Sequence, residues 1–137
     1  MLGTNEVKLI ITGNPIPLKR ARANVKSGRM FNSQWKQQEA TGWLMRKLWN
    51  RPFLCSPVQL DFLFIFEMPK SLSKRNRIVV DGTPCLKVPD LSNLIKYYED
   101  CGNGIIWEDD RLIWKESQRK IWGEDPRTEI IIRWKDD

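Results

Sequence analysis

Hydrophobic and polar residues alternate most cleanly over residues 58–68. Val58, Leu60, Phe62, Phe64 and Phe66 interleave there with Gln59, Asp61, Leu63, Ile65 and Glu67. Period two marks a strand, and its passage from one polar face to two apolar faces marks an interior one. Asp61 and Glu67 read as solvent-facing charges at its ends. A shorter β-rich run covers 7–12 (VKLIIT), closed by Gly13-Asn14-Pro15. Residues 111–122 and 128–134 predict two further strands, joined at the Gly123-Glu124-Asp125-Pro126 turn and paired antiparallel.

Helical periodicity appears twice. Residues 33–50 contain good helix formers and no proline, with Ser33 as N-cap and Asn50-Arg51-Pro52 as the stop. Trp35, Ala40, Trp43, Leu44 and Leu48, with Gln38 among them, form the apolar stripe, and we read its Trp residues as core or interface rather than a base-stacking platform. A second helix starts at Asp90, because Pro89 holds Val88 extended. Leu91, Leu94, Ile95, Tyr98 and Cys101 face its core side, Asn93, Lys96 and Asp100 its opposite side, and Gly102-Asn103-Gly104 ends it. Residues 69–87 show no periodicity and read as a long basic loop broken by Pro69, Gly82 and Pro84. The expectation is one α+β domain over 1–137, with a mixed sheet of four or five strands packed against two main helices.

Composition narrows the function. No apolar run approaches the roughly 20 residues of a membrane span, and the first residues lack the pattern of a secretory leader. Three cysteines without CxxC spacing fit a reducing cytoplasm, so the expected location is cytoplasmic, and a DNA partner would make it nucleoid-associated. A net charge of +6 points to an acidic partner, most often nucleic acid. The chain has no histidine, which removes His bases, Ser-His triads and His metal sites. Hydrolysis would have to rest on carboxylates, Lys and metal-activated water.

Those groups concentrate in 88–110, VPDLSNLIKYYEDCGNGIIWEDD. Asp90 heads the helix, Lys96 and Asp100 follow on its polar side, and Asp109-Asp110 stand before a strand. Mg²⁺ is a hard ion held by one or two carboxylates plus water and substrate phosphate, and a nearby Lys can stabilise the leaving oxygen. Asp90, Asp109, Asp110 and Lys96 meet that inventory. The plainer reading is a solvated helix face with an i,i+4 Lys96–Asp100 pair. Lys19, Arg20 and Arg22 in PIPLKRAR, and Lys74, Arg75, Arg77 and Lys87 in the long loop, are either phosphate contacts or ordinary solvated charges.

The stretch PDLSNLIKYYEDCGNGIIWEDD resembles the signature of the RusA-type Holliday junction resolvases: an Asp-x-Asp-Asn-Leu-x-Lys run, an Asp four residues beyond the Lys, and a later Asp-Asp pair. PIPLKRAR resembles that family's Pro-x-Pro-Lys-x-Arg-x-Arg opening. The resemblance implies a homodimer that nicks four-way DNA junctions symmetrically with Mg²⁺ or Mn²⁺. It assigns Asp90 to the first metal-binding Asp, Lys96 to the catalytic Lys and Asp110 to the essential Asp, with Asp109, Asn93 and Asp100 in supporting places. Ser92 departs from the pattern, standing where the family usually has a second Asp. A hydroxyl is a poorer Mg²⁺ ligand and brings no charge. Either Asp109 or Asp100 completes the shell, or the chain is a weak or inactive protein that binds branched DNA. A basic domain unrelated to DNA is the third alternative.

Overall fold

The computed structural model describes residues 4–19, 22–23, 30–31 and 34–136, the side chains of 22–23 and 30–31 excepted. Its elements are β1 (Thr4–Thr12), β2 (Arg22–Ala23), β3 (Met30–Phe31), α1 (Trp35–Trp49), β4 (Val58–Glu67), α2 (Lys74–Val80), α3 (Leu91–Gly102), a single 3-10 turn (Asp110–Leu112), β5 (Ile113–Gly123) and β6 (Arg127–Lys135). Four strands form one mixed sheet in the order β1-β6-β4-β5, and β2 and β3 pair separately. This is the expected α+β architecture with two main helices. Ser33, expected as the cap of α1, lies outside the described residues.

β4 is interior, as its alternation predicts. It pairs antiparallel with β6 and parallel with β5, and Val58, Leu60, Phe62 and Phe64 are buried on its helix-facing side. One expectation fails here. β5 and β6 run in opposite directions but are not paired, because β4 lies between them. The turn between them therefore steps across a strand, and Pro126 at its end accepts a bond from Gly13 N at 3.0 Å instead.

α1 is rotated from the expected stripe. Its buried residues are Thr41, Gly42, Met45 and Trp49, whereas Trp35 and Trp43 are 56% and 64% exposed and Leu48 is exposed as well. Small residues face α3 because the two helices approach closely. A Cβ at Gly42 would come within 3.3 Å of the Ile105 side chain, and Thr41 shares a buried 2.8 Å hydrogen bond with the Tyr97 hydroxyl. Asn50 ends the helix in the left-handed conformation, with its N–H bonded to Arg46 O.

The segment expected as structureless contains α2. Ser73 caps it, accepting from Asn76 N at 3.2 Å. Seven residues with none buried give no amphipathic signal to read. Beyond α2 the chain runs as a strap along the free edge of β5. Gly82 N bonds to Trp122 O, Trp122 N to Thr83 O, and Cys85 N to Lys120 O, at 2.8, 3.0 and 2.9 Å. An edge strand offers unpaired backbone groups, and the strap covers them.

α3 is the best-anchored helix. Leu94, Ile95, Tyr97, Tyr98 and Cys101 are buried, so Tyr97 joins the stripe that was read from the sequence. The Tyr98 hydroxyl accepts from Thr128 of β6 at 3.1 Å and from Ile16 N at 3.0 Å. Trp107, fully buried, packs against the last turn and donates to Glu99 O and to the Asn103 side chain. That packing requires Gly102, since a Cβ there would lie 2.4 Å from the indole ring. Gly102→Ala should therefore destabilise the protein by about 1–3 kcal/mol through overpacking. Denaturant unfolding checks this, and a midpoint equal to the parent's would contradict the packing argument.

Candidate active site

All the chemistry-bearing residues of 88–110 lie on the crossover between β4 and β5. Asp90 is the N-cap of α3, yet its carboxylate makes no capping hydrogen bond. It is exposed and left available to another partner. Ser92 follows in the first helical turn, also exposed, and Asn93 is half-buried beside it.

Lys96 emerges one turn later. Its Nζ lies 3.2 Å from Asp100 Oδ1 and 3.2 Å from Asp110 Oδ2. Hydrogen bonds that it donates to Asp100 and then to Asp110 raise its pKa, so it keeps its proton throughout the physiological range. The Lys96–Asp110 contact joins the helix to the turn before β5, fourteen residues further along.

The two carboxylates of the Asp pair separate into different jobs. Asp109 caps the 3-10 turn, accepting from Arg111 N at 3.0 Å, and lies 3.7 Å from the Arg111 guanidinium. Asp110 turns to Lys96. The structure thus brings Lys96, Asp100 and Asp110 together, while Asp109 bonds through Oδ2 within its own turn.

Two acids that the sequence reading did not single out lie nearby. Glu99 is half-buried on α3, seven residues after Ser92 and three after Lys96, so it lies along the same side of the helix. Burial, then repulsion from Glu116 and Asp110, pushes its pKa up to about 7. Glu116 pairs with Leu60 across β4 and β5, which puts it on the helix-facing side, and burial raises its pKa too. The i+7 spacing from Ser92 was a readable signal for Glu99. Glu116 carried none, because its strand neighbour was not legible.

The donors fit a hard divalent cation in kind: carboxylate oxygens, a serine hydroxyl, and at Asp90 a carboxylate without a capping bond. Among the described residues, no three His, Cys, Asp or Glu side chains are already gathered as a cage. Mg²⁺ does not require one, since water and phosphate ordinarily supply most of its shell.

The basic residues divide likewise. The extended segment bearing Lys19 is pinned beside the site: Leu18 N donates to Asn93 O at 2.9 Å, and the buried Gln34 side chain accepts from Lys19 N and donates to Pro17 O. Lys19 is exposed. An open groove of about 810 Å³ runs from Lys19 past Trp35, Trp43 and Arg46 of α1 to Asp100. Lys74, Arg75 and Lys87 are exposed, whereas Arg77 donates to Leu72 O and Pro69 O and braces its own loop. Arg20 and the side chain of Arg22 lie outside the described residues. No helix among the described residues is long and apolar enough to cross a membrane.

Residues 12–133 match the family model described as Endodeoxyribonuclease RusA, which is nearly the whole chain. The chain is also 28% identical over 140 residues to "Uncharacterized protein YqaN" of Bacillus subtilis (strain 168), an alignment covering 93% of this chain and 95% of that protein.

The raised Glu99 pKa has a consequence for stability. The folded state holds the Glu99 proton up to about pH 7, whereas the ordinary value is 4.5. Folding therefore loses stability as pH rises through that window, and the penalty is full above it. Glu99→Gln should stabilise the metal-free protein at pH 8, on the order of 1 kcal/mol after allowance for partial exposure. The difference should vanish near pH 4. Thermal unfolding in EDTA at the two pH values tests this, and an equal difference at both would refute it.

Proposed function

The chain belongs to the RusA endodeoxyribonuclease family, and from that premise we propose that it is a metal-dependent endonuclease resolving four-way DNA junctions by paired symmetric nicks. The family is one of nucleases that bind branched DNA, which fits the chain's basic charge. The observation that carries the reading is the meeting of Lys96 with Asp110 on the exposed side of α3, whose N-cap Asp90 has a carboxylate without a capping bond.

In this reading Asp90 and Asp110 hold Mg²⁺ or Mn²⁺, with the Ser92 hydroxyl beside Asp90. The cation, when bound, supplies activation of water and neutralisation of phosphate charge. Lys96, permanently charged, offsets negative charge gathering on the phosphate and its leaving oxygen. Asp100 orients Lys96. Asp109 supports the turn that presents Asp110, and Asn93 anchors the Lys19 segment through its carbonyl. Lys19, Arg20, Arg22, Lys74, Arg75 and Lys87 contact backbone phosphates, whereas Arg77 braces the segment that carries Lys74 and Arg75. A C2 homodimer places two such sites about a dyad, which suits a pseudo-symmetric junction and a role in recombination and repair.

Ser92 supports a second reading, a protein that holds branched DNA and cuts it slowly or not at all. Cleavage of a labelled synthetic four-way junction with Mg²⁺, Mn²⁺ or EDTA separates the two. The enzyme reading expects metal-dependent symmetric nicks. Asp90→Asn and Asp110→Asn should each lower the rate by about 100-fold or more while junction binding persists. Asp109→Asn should cost less, because its main bond is to its own turn. Parental cutting by Asp90→Asn would sink the assignment, and tight salt-sensitive binding with cleavage restored only by Ser92→Asp would establish the second reading.

A further inference from the structure

β5 carries a lysine whose ammonium is bonded to the strap. Lys120 pairs with the buried Phe64 across β4 and β5, so its side chain leaves the sheet on the helix-facing side, beneath the strap. Its Nζ donates to Lys87 O at 2.5 Å and to Pro89 O at 2.6 Å. Its own carbonyl accepts from Cys85 N at 2.9 Å. A single residue thus holds the strap at three points over five residues, and Asp90 comes next in the chain.

Two carbonyls converging on one point need a compact group with several donors. An ammonium provides three from a single atom, whereas an amide or a guanidinium spreads its donors over a plane. The surroundings leave Asp90 few other restraints. Pro89 has no N–H to bond, and the Asp90 carboxylate does not cap the helix. Asp90 is held through its carbonyl, which accepts from Leu94 N at 3.2 Å, and through the peptide that Lys120 grips.

We propose that Lys120 is a positioning residue for the metal site: its ammonium fixes the Lys87 and Pro89 carbonyls and so sets where the Asp90 carboxylate can meet a divalent cation. This rests on the reading of Asp90 as a metal ligand.

The test is direct Mn²⁺ binding, followed by electron paramagnetic resonance, to the full-length metal-free chain without DNA. The parent should bind, Lys120→Met should bind about 10-fold more weakly, as loss of an outer-shell partner does, and Lys120→Arg should recover part of the loss. Junction binding in EDTA should stay within about twofold of the parent, because no phosphate contact is removed. The Mn²⁺ concentration giving half-maximal cleavage should rise by the same factor as the dissociation constant. A merely structural lysine would lower the unfolding temperature and leave the Mn²⁺ affinity of the folded protein unmoved, so parental affinity in folded Lys120→Met overturns the proposal. If Lys120→Met does not fold, Lys120→Gln is judged by the same criterion. A parent that binds no Mn²⁺ overturns the metal reading itself and this inference with it, an outcome distinct from a parent that binds and a variant that binds equally well.

Discussion

The parallel pairing of β4 with β5 governs where the chemistry can be. An antiparallel neighbour can follow through a tight turn, but a parallel one forces the chain to leave the far end of β4, cross a face of the sheet and return to the starting end. Here the return path is α3. It starts beside the C-terminal half of β5, where Lys120 holds Pro89 O, and finishes near the beginning of β5. The turn Asp110–Leu112 then hands the chain into the strand, and Asp110 comes back alongside Lys96. One crossover thereby supplies both halves of the candidate site, and the helix length sets their spacing.

What keeps α3 in place is buried immediately beside what it displays. Lys96 is exposed and Tyr97 and Tyr98 are buried; Asp100 is half-buried and Cys101 is buried. Tyr97 reaches α1 through Thr41, and Tyr98 reaches β6 and the N-terminal segment through its hydroxyl. Buried hydroxyls are costly unless bonded, so these contacts fix the rotation of the helix as well as its position. Rotation decides whether Lys96 faces Asp110.

Much of this was legible from the residues. The alternation in β4 shows its interior place, and the polar side of α3 separates Lys96 and Asp100 from the core stripe. What was not legible depends on partners distant in sequence. Gly123 to Pro126 is good turn chemistry, but a turn does not disclose that another strand will be inserted between its arms. α1 misleads in a similar way, because hydrophobicity ranks Trp35 and Trp43 first, whereas close approach to α3 selects Gly42 and Thr41. Glu116 became relevant only when the register with Leu60 placed it on the helix-facing side.

The charge pattern connects the site to the whole molecule. The chain carries +6, yet α3, its N-cap and the elements leading into and along β5 carry Asp90, Glu99, Asp100, Asp110 and Glu116, and Lys96 pairs with two of them. Burial first, and then repulsion from Glu116 and Asp110, pushes the Glu99 carboxyl toward neutrality. A phosphate approaching the protein is attracted by the surrounding surface and repelled by the centre. On the proposed reading, a divalent cation held at the centre would reverse the second effect without changing the first. On the reading proposed above, holding a junction and cutting it are then electrostatically separate: the basic surface carries affinity, and the acidic centre admits a scissile phosphate only with a cation. Ser92 fits this division, since a hydroxyl in place of a carboxylate lessens the central repulsion while weakening the hold on the metal. Its effect should therefore fall on the cation requirement more than on the grip on DNA.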